Sequence, residues 1–207
     1  MNYLLVQRVH VATDGNHAVR TIKPVAKVCA SMQALVALNS ELAPLPEESM
    51  SNPAELLKAE DIAKMEGKSR AHLLNPDAIR VAKSLGDVTG LTDLGFQLMT
   101  VMPGHEYAEY HRHLYEEQCF YILSGSGEAI IAGKHFAIGS GDFLGFPKNG
   151  VAHTILNNGN ESLIMISART NLEQDVCEYP RKKKRLYMNG TEEALVDFDD
   201  VRSEPPA

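Results

Sequence analysis

The chain has 207 residues, 44% of them apolar and 23% charged, and a net charge of −7. That length covers one ordinary domain with extensions, or two very small ones, and the composition is typical of a globular protein. The acidic balance argues against a nucleic-acid-binding or anionic-membrane surface. The one basic run, "RKKKR" at residues 181–185, is short and precedes the acidic stretch "TEEALVDFDD", so it reads as a solvated segment. Three cysteines (Cys29, Cys119 and Cys177) are odd in number and far apart, which disfavours a disulfide framework or a CxxC motif and fits a reducing, cytoplasmic setting. No apolar run has the length of a membrane-spanning helix.

Within the first 50 residues, "KPVAKVCASMQALVALNSELA" sets basic residues ahead of a mildly apolar stretch. Gln33 and Asn39 interrupt that stretch, and it begins too far from the N-terminus for a secretory signal. At Met50 the text "MSNPAELLKAEDIAKMEG" reads like a fresh protein start. Residues 1–50 are therefore expected to be an extension of uncertain structure, of the kind an early start codon would add. Residues 51–94 form a lead-in. Asn52, Pro53 and Glu55 supply a cap, a first helical residue and a capping-box acid, and predict a helix over 53–66 that stops at Gly67. Turn signals at Asn75-Pro76, Gly86-Asp87 and Gly90 make 72–94 read as irregular, with one short strand at 78–82.

From Gly95 the pattern changes. Short β-prone runs ("FQLMTVM", "EYAEYHRH", "QCFYILS", "GEAIIA", "HFAI", "DFLGFP", "AHTILN" and "SLIMISAR") alternate with Gly-, Pro- and Asn-rich breaks and have no helical interval between them. This spacing predicts an all-β domain over 95–170, an antiparallel sandwich or closed barrel. Residues 171–207 are more polar and are expected to form an ordered tail packed on its outside.

Strand parity organises the chemistry, because residues two apart share a face. His111 and His113 point the same way, together with Tyr107 and Glu109 if the strand is regular. In the next run Gln118, Phe120 and Ile122 share one face, and Glu117, Cys119, Tyr121 and Leu123 the other. His153 lies on a distant strand with Ile155 and Asn157. Two imidazoles from one strand and a third from another can converge on a divalent transition metal, and neutral imidazole suits Fe, Mn, Zn, Ni or Cu. An HxH pair alone is also compatible with histidines satisfied by hydrogen bonds. Arg112 reads as structural, Cys119 as a small buried hydrophobe, Asn157 as a turn cap, and Met99, Met102 and Met165 as core filler.

These residues resemble the two signature motifs of the cupin superfamily. Gly104, His111-Arg112-His113, "LYEEQ" and Gly125 follow the first motif; Gly141, Pro147, Gly150, His153 and Asn157 follow the second. The texts "GDFLGFPKNGVAHTILN" and "CFYILSGSGEA" are similar to those of small bacterial single-domain cupins. The resemblance implies a jelly-roll barrel, usually dimeric, with one divalent metal in its mouth. Three departures stand out. Six residues rather than five separate Gly104 from His111, and two rather than one separate Pro147 from Gly150. The third concerns the family's glutamate ligand. Counting back from Gly125 puts it at position 118, which is Gln; counting forward from His113 gives Glu117. The uninterrupted run "QCFYILS" fixes register better than a turn does, so the backward count is preferred.

The expected metal shell is therefore His111, His113, Gln118 and His153, with Glu109 and Tyr107 as candidate catalytic groups. A neutral amide ligand removes one negative charge and favours anionic ligands on the metal. Two functions follow. One is a metal-dependent enzyme of oxygenase, isomerase or lyase type acting on a small organic molecule. The other is a non-enzymatic module that binds a small ligand or a metal. Either has a small molecule as partner, needs no nucleic acid or membrane, and is expected to form a homodimer.

Overall fold

A computed structural model of the protein describes residues 53–202. The expectation of an extension over 1–50 and the proposed cap at Asn52 lie outside the described residues. The predicted N-terminal helix is shorter than the sequence suggests: α1 spans Ala59–Lys64, and its first turn is held by Lys58 N–H donating to Asp61 Oδ2 at 3.3 Å. Its last carbonyls accept hydrogen bonds from Lys83 Nζ, at 2.8 Å to Ile62 and 3.2 Å to Ala63.

Much of the stretch expected to be irregular is sheet, and the strand expected at 78–82 is the middle of a longer one. Strands β1 (Lys68–His72) and β2 (Asn75–Ser84) pair antiparallel, and a short helix α2 (Leu85–Thr89) leads to β3 (Leu94–Val101). The next strand, β4, is only Arg112–His113; residues 102–111 are irregular, touching β structure through bridges at Glu106 and His111. Then come β5 (Gln118–Ser124), β6 (Ser126–Ile131), β7 (Lys134–Gly139), β8 (Phe143–Phe146), β9 (His153–Leu156) and β10 (Leu163–Thr170), each within two residues of its sequence run at either end. The C-terminal segment contributes β11 (Gln174–Tyr179), β12 (Lys184–Asn189) and β13 (Glu192–Asp197).

The strands form three antiparallel sheets: a large one in the order β1-β2-β3-β10-β5-β8, a second in the order β13-β12-β11-β4, and a third in the order β7-β6-β9. This is a jelly roll whose hydrogen bonding runs in separate sheets and does not close continuously around a barrel. Gly125 marks the step from β5 in one sheet to β6 in another. Its φ is +84°, and a Cβ there would lie 2.5 Å from the Ser162 carbonyl oxygen, so only glycine fits. Two boundaries expected from composition are crossed by sheet pairing: β2 pairs with β3, and β11 pairs with β4.

The core is the set of inward rows that parity assigns. Phe120 and Ile122 of β5, Leu163 and Met165 of β10, and Met99 and Val101 of β3 are buried together with Leu144, Phe146 and Ile155. Burial of side chains of this size stabilises by about 1.5–3 kcal/mol each. Met102, expected as core filler, is 48% exposed, because the chain leaves β3 at Val101 and turns outward. Cys119 is half-buried on the outer face, not buried in the core. Asn157 does cap a loop: fully buried, it donates to the Val101 and Glu161 carbonyls and accepts from Gly159 N–H.

Candidate functional site

His153 begins β9, and its backbone exchanges both hydrogen bonds with His111, at 3.0 and 2.8 Å. Directly paired residues of antiparallel chains present their side chains to one face, and the two imidazole centroids lie 4.8 Å apart. His153 is further positioned by stacking on Phe146, with centroids 3.4 Å apart and planes within 2°. Gln118, at the start of β5, turns inward in line with Phe120 and Ile122 and is 8% exposed, whereas Glu117 is exposed. The register read back from Gly125 is the one the structure adopts.

The polar tips meet at one point. The Tyr107 hydroxyl lies 3.3 Å from His111 Nε2, 3.2 Å from Gln118 Oε1 and 3.4 Å from His153 Nε2, and the last two atoms are 3.2 Å from each other. The opposite ring nitrogens face backbone carbonyls. His111 Nδ1 donates to the Glu109 carbonyl at 2.7 Å, and His153 Nδ1 faces the Val151 carbonyl at 3.4 Å. The Glu109 carbonyl only accepts, so His111 Nε2 carries a lone pair; His153 Nε2 lies nearer an acceptor, Gln118 Oε1 at 3.2 Å, than its Nδ1 does, so the neutral His153 ring can donate from either nitrogen. Two imidazole Nε2 atoms and an amide oxygen thus converge on one hydroxyl, and with the His153 proton on Nδ1 they offer two lone pairs and an oxygen to a bound cation. Burial lowers the His111 pKa well below its ordinary value and brings that of His153 down to about 3, so both rings stay neutral and available at pH 7.

His113 stands beside them, its ring 5.0 Å from that of His111. Its Nδ1 donates to Asp175 Oδ2 at 2.5 Å, and Oδ1 of that carboxylate accepts the Tyr115 and Glu116 N–H groups at 3.0 and 3.3 Å. Burial alone would raise the Asp175 pKa, but the His113 contact and the Tyr115 and Val176 N–H groups hold it below its ordinary value. A carboxylate behind a ligating imidazole is the usual outer support of a metal-binding histidine.

Glu109 is placed differently from the parity expectation. Residues 107–110 are not a regular strand, so the period-two argument does not hold across them. The Glu109 backbone carbonyl, not its carboxylate, reaches the site through His111. The carboxylate is buried, with Oε2 3.7 Å from Lys182 Nζ and Oε1 without a hydrogen-bond partner, and it is not among the cavity-lining groups. Tyr107, on the same irregular segment, does enter the site. Arg112 points outward to Glu178 at 2.6 Å, as its parity requires.

A cavity of about 220 Å³ opens over this cluster, lined by Tyr107, His111, His113 and Gln118. Its other walls hold groups that sequence reasoning missed: Arg70, His72 and Arg80 from β1 and β2, Arg169 from β10, and Cys177 and Tyr179 from β11. Ligating atoms of Cys177, His111 and His113 lie within 4.8 Å of one another, and burial pushes the Cys177 thiol up to about 12. A signal was present for two of these sources. Arg169 continues the inward row Leu163, Met165, Ser167, and Asp175, Cys177 and Tyr179 alternate along one face of their run.

The cupin domain family matches residues 97–169 of the chain. Among solved structures, a protein of Acidithiobacillus ferrooxidans provisionally named a sugar phosphate isomerase is 44% identical, aligning over 74% of this chain and 98% of its own, with a TM-score of 0.73. The chain belongs to the cupin superfamily. A second cupin, named a sugar phosphate isomerase of Silicibacter pomeroyi, is 19% identical over 72% of this chain and 96% of its own, with a TM-score of 0.62, and shares the fold. No curated protein sequence matches. The cupin match begins and ends inside the large sheet, so β1, β2, β11 and β12, which complete the cavity wall, lie outside it. Among the described residues no helix is long and apolar enough to cross a membrane.

Proposed function

We propose that this cupin is a metal-dependent enzyme of isomerase type acting on a small, hydroxylated, anionic molecule. The observation that carries the reading is the convergence of two neutral imidazole Nε2 atoms and the Gln118 amide oxygen on one buried point, with His111 held from behind by the Glu109 carbonyl. In this reading His111, His153 and Gln118, with His113 beside them, hold one divalent transition metal. When bound, the metal supplies Lewis-acid polarisation of a carbonyl or hydroxyl oxygen. The reaction type follows the 44% identical relative, named a sugar phosphate isomerase.

The chain's own groups have definite parts. Tyr107 keeps its proton, because burial raises its pKa above the ordinary phenol value, and it donates a hydrogen bond to a substrate oxygen. His72 is neutral, its pKa brought down to about 4 by burial and then by the charges of Arg80 and Lys182. Its Nδ1 accepts from Leu74 N–H at 3.1 Å, which leaves Nε2–H as a donor on the cavity wall. Gln118 brings an oxygen but no charge and no basic function. The Glu109 carboxylate, off the cavity, has no part as a base.

Elemental analysis of protein purified without added metal, followed by reconstitution, tests the reading. The expected result is roughly one equivalent per chain, as one four-ligand site requires, and its loss in the His111→Ala and His153→Ala proteins. The reaction itself is read by proton exchange with deuterated water at the carbon next to the carbonyl of candidate aldoses and ketoses. Absence of any transition metal after reconstitution would end this reading.

A further inference from the structure

The cavity above the histidines also receives three guanidinium groups, from Arg70, Arg80 and Arg169, and no carboxylate lines it, in a chain whose net charge is −7. An adjoining cavity of about 440 Å³ is lined by the same three arginines, with Gly95 and Gln97 also common to both, and its own lining adds Lys68, Glu66 and Asp87. Together the two spaces fall in the roughly 300–1,000 Å³ range of small-molecule sites.

Strand register brings the arginines together. Arg70 of β1 and Arg80 of β2 are direct cross-strand partners, so two like charges share one face of an antiparallel pair. Such pairs are destabilising unless something lies between them. Arg169 of β10 is paired with Gln118 on one side and with Gly95 of β3 on the other. A Cβ at position 95 would stand 3.1 Å from Arg169 Cγ, so glycine leaves the space that the arginine stem occupies. Burial lowers the Arg80 pKa below its ordinary value, and the neighbouring charges of Arg70 and Arg169 act in the same direction.

Little within the protein balances them. Among the described residues Arg70 has no ion pair or side-chain hydrogen bond, and Arg80 makes one, to the Tyr107 carbonyl at 3.0 Å. Arg169 makes one ion pair, to Glu116 at 3.1 Å. Most of their N–H donors therefore remain available at the cavity wall. Planar guanidinium forks match the oxygens of a phosphoryl group better than any other side chain does.

We infer that Arg70, Arg80 and Arg169 form the subsite for a phosphate monoester dianion, which anchors the substrate while its hydroxylated carbons reach Gln118 and the histidines. This rests on the reading of the site given above and names its substrate class.

The test is calorimetric titration of the metal-free full-length protein with inorganic phosphate, a hexose 6-phosphate and the free hexose. Both phosphate-bearing ligands are expected to bind, the sugar phosphate more tightly. R70Q and R80Q are each expected to weaken binding at least about tenfold, the scale of one lost charge-assisted contact. R169Q also breaks the Glu116 contact, so the exposed Arg70 carries the decision if that variant folds poorly. Phosphate binding that is absent, or unchanged in R70Q and R80Q, overturns the inference. Metal content measured on the same proteins separates the two readings. Arginine-dependent phosphate binding without metal uptake would sink the metal reading alone; metal uptake with arginine-independent binding would sink the phosphate subsite alone.

Discussion

Followed from one end to the other, the inward rows of the large sheet change character. On β5 the row runs Ile122, Phe120, Gln118; on β10 it runs Leu163, Met165, Ser167, Arg169; on β3 it runs Val101, Met99, Gln97, Gly95. The closed end is apolar and fully buried, and the open end is polar, glycine-relieved and charged. The same strands thus serve two purposes in adjacent turns of the pleat. At one end burial of apolar area holds the sheets together; at the other that stabilisation is given up to expose donors and lone pairs in a cavity. Substitutions at the closed end should move stability and leave the ligand preferences of the site alone, and substitutions at the open end should do the reverse.

The hardest test of that division is Phe120→Ala. Phe120 is fully buried, and its ring lies 4.9 Å from that of Tyr107. The change is expected to cost about 3–5 kcal/mol in urea unfolding. A cost under 1 kcal/mol would mean that the closed end is not the stabilising one. Next in size, Asp175→Asn withdraws the carboxylate from His113. Metal affinity, read by competition with a chromophoric chelator, is expected to fall about 10–100-fold.

Gln118→Glu adds a charge at the meeting point of Tyr107, His111 and His153 and is expected to tighten metal binding about tenfold, the scale of a charged contact replacing a neutral one. Glu117→Ala, on the outer face, is expected to leave it unchanged; the opposite pair of results would reverse the assignment of the inward residue. pH separates the two ends further. The His72 pKa falls from 6.5 unfolded to about 4 in the fold, so between those values the unfolded chain binds a proton that the folded one refuses. Stability should fall as pH drops through that window, and the His72→Gln protein should show a shallower slope there in its unfolding midpoints. The smallest effect is expected at Arg70. In phosphate-free buffer Arg70→Thr relieves the cross-strand repulsion with Arg80 and should stabilise by about 0.2–1 kcal/mol.

The same division explains what could be read from the residues. Strands β5 to β10 were legible because they are short β-prone runs bounded by Gly-, Pro- and Asn-rich breaks, and on β5, β8 and β10 buried residues alternate with exposed or half-buried ones. The position of Gln118 followed from that alternation even though the family pattern expects a glutamate. β2 was read only as a short strand over 78–82, half of its Asn75–Ser84 length, because Asn75, Pro76 and Asp77 read as a turn and Arg80 and Lys83 interrupt the apolar period of "NPDAIRVAKS". β11 was hidden for a related reason: Asp175 and Cys177 face the site, where a charge and a thiol take the places that apolar residues fill elsewhere. Parity failed at Glu109 because residues 107–110 are not regular strand, and nothing in "EYAEYHRH" marks where its extended backbone breaks.

The pairing of His113 with Asp175 also sets an order of events in synthesis. The two residues are 62 positions apart. At roughly 5–20 residues per second, the imidazole leaves the ribosome about 3–12 s before its carboxylate does. A nascent chain therefore carries the HxH pair through that interval without the C-terminal strand that steadies it. Metal captured early would be held by an unfinished set of supports, and the centre would gain its full support only once Asp175 has been made.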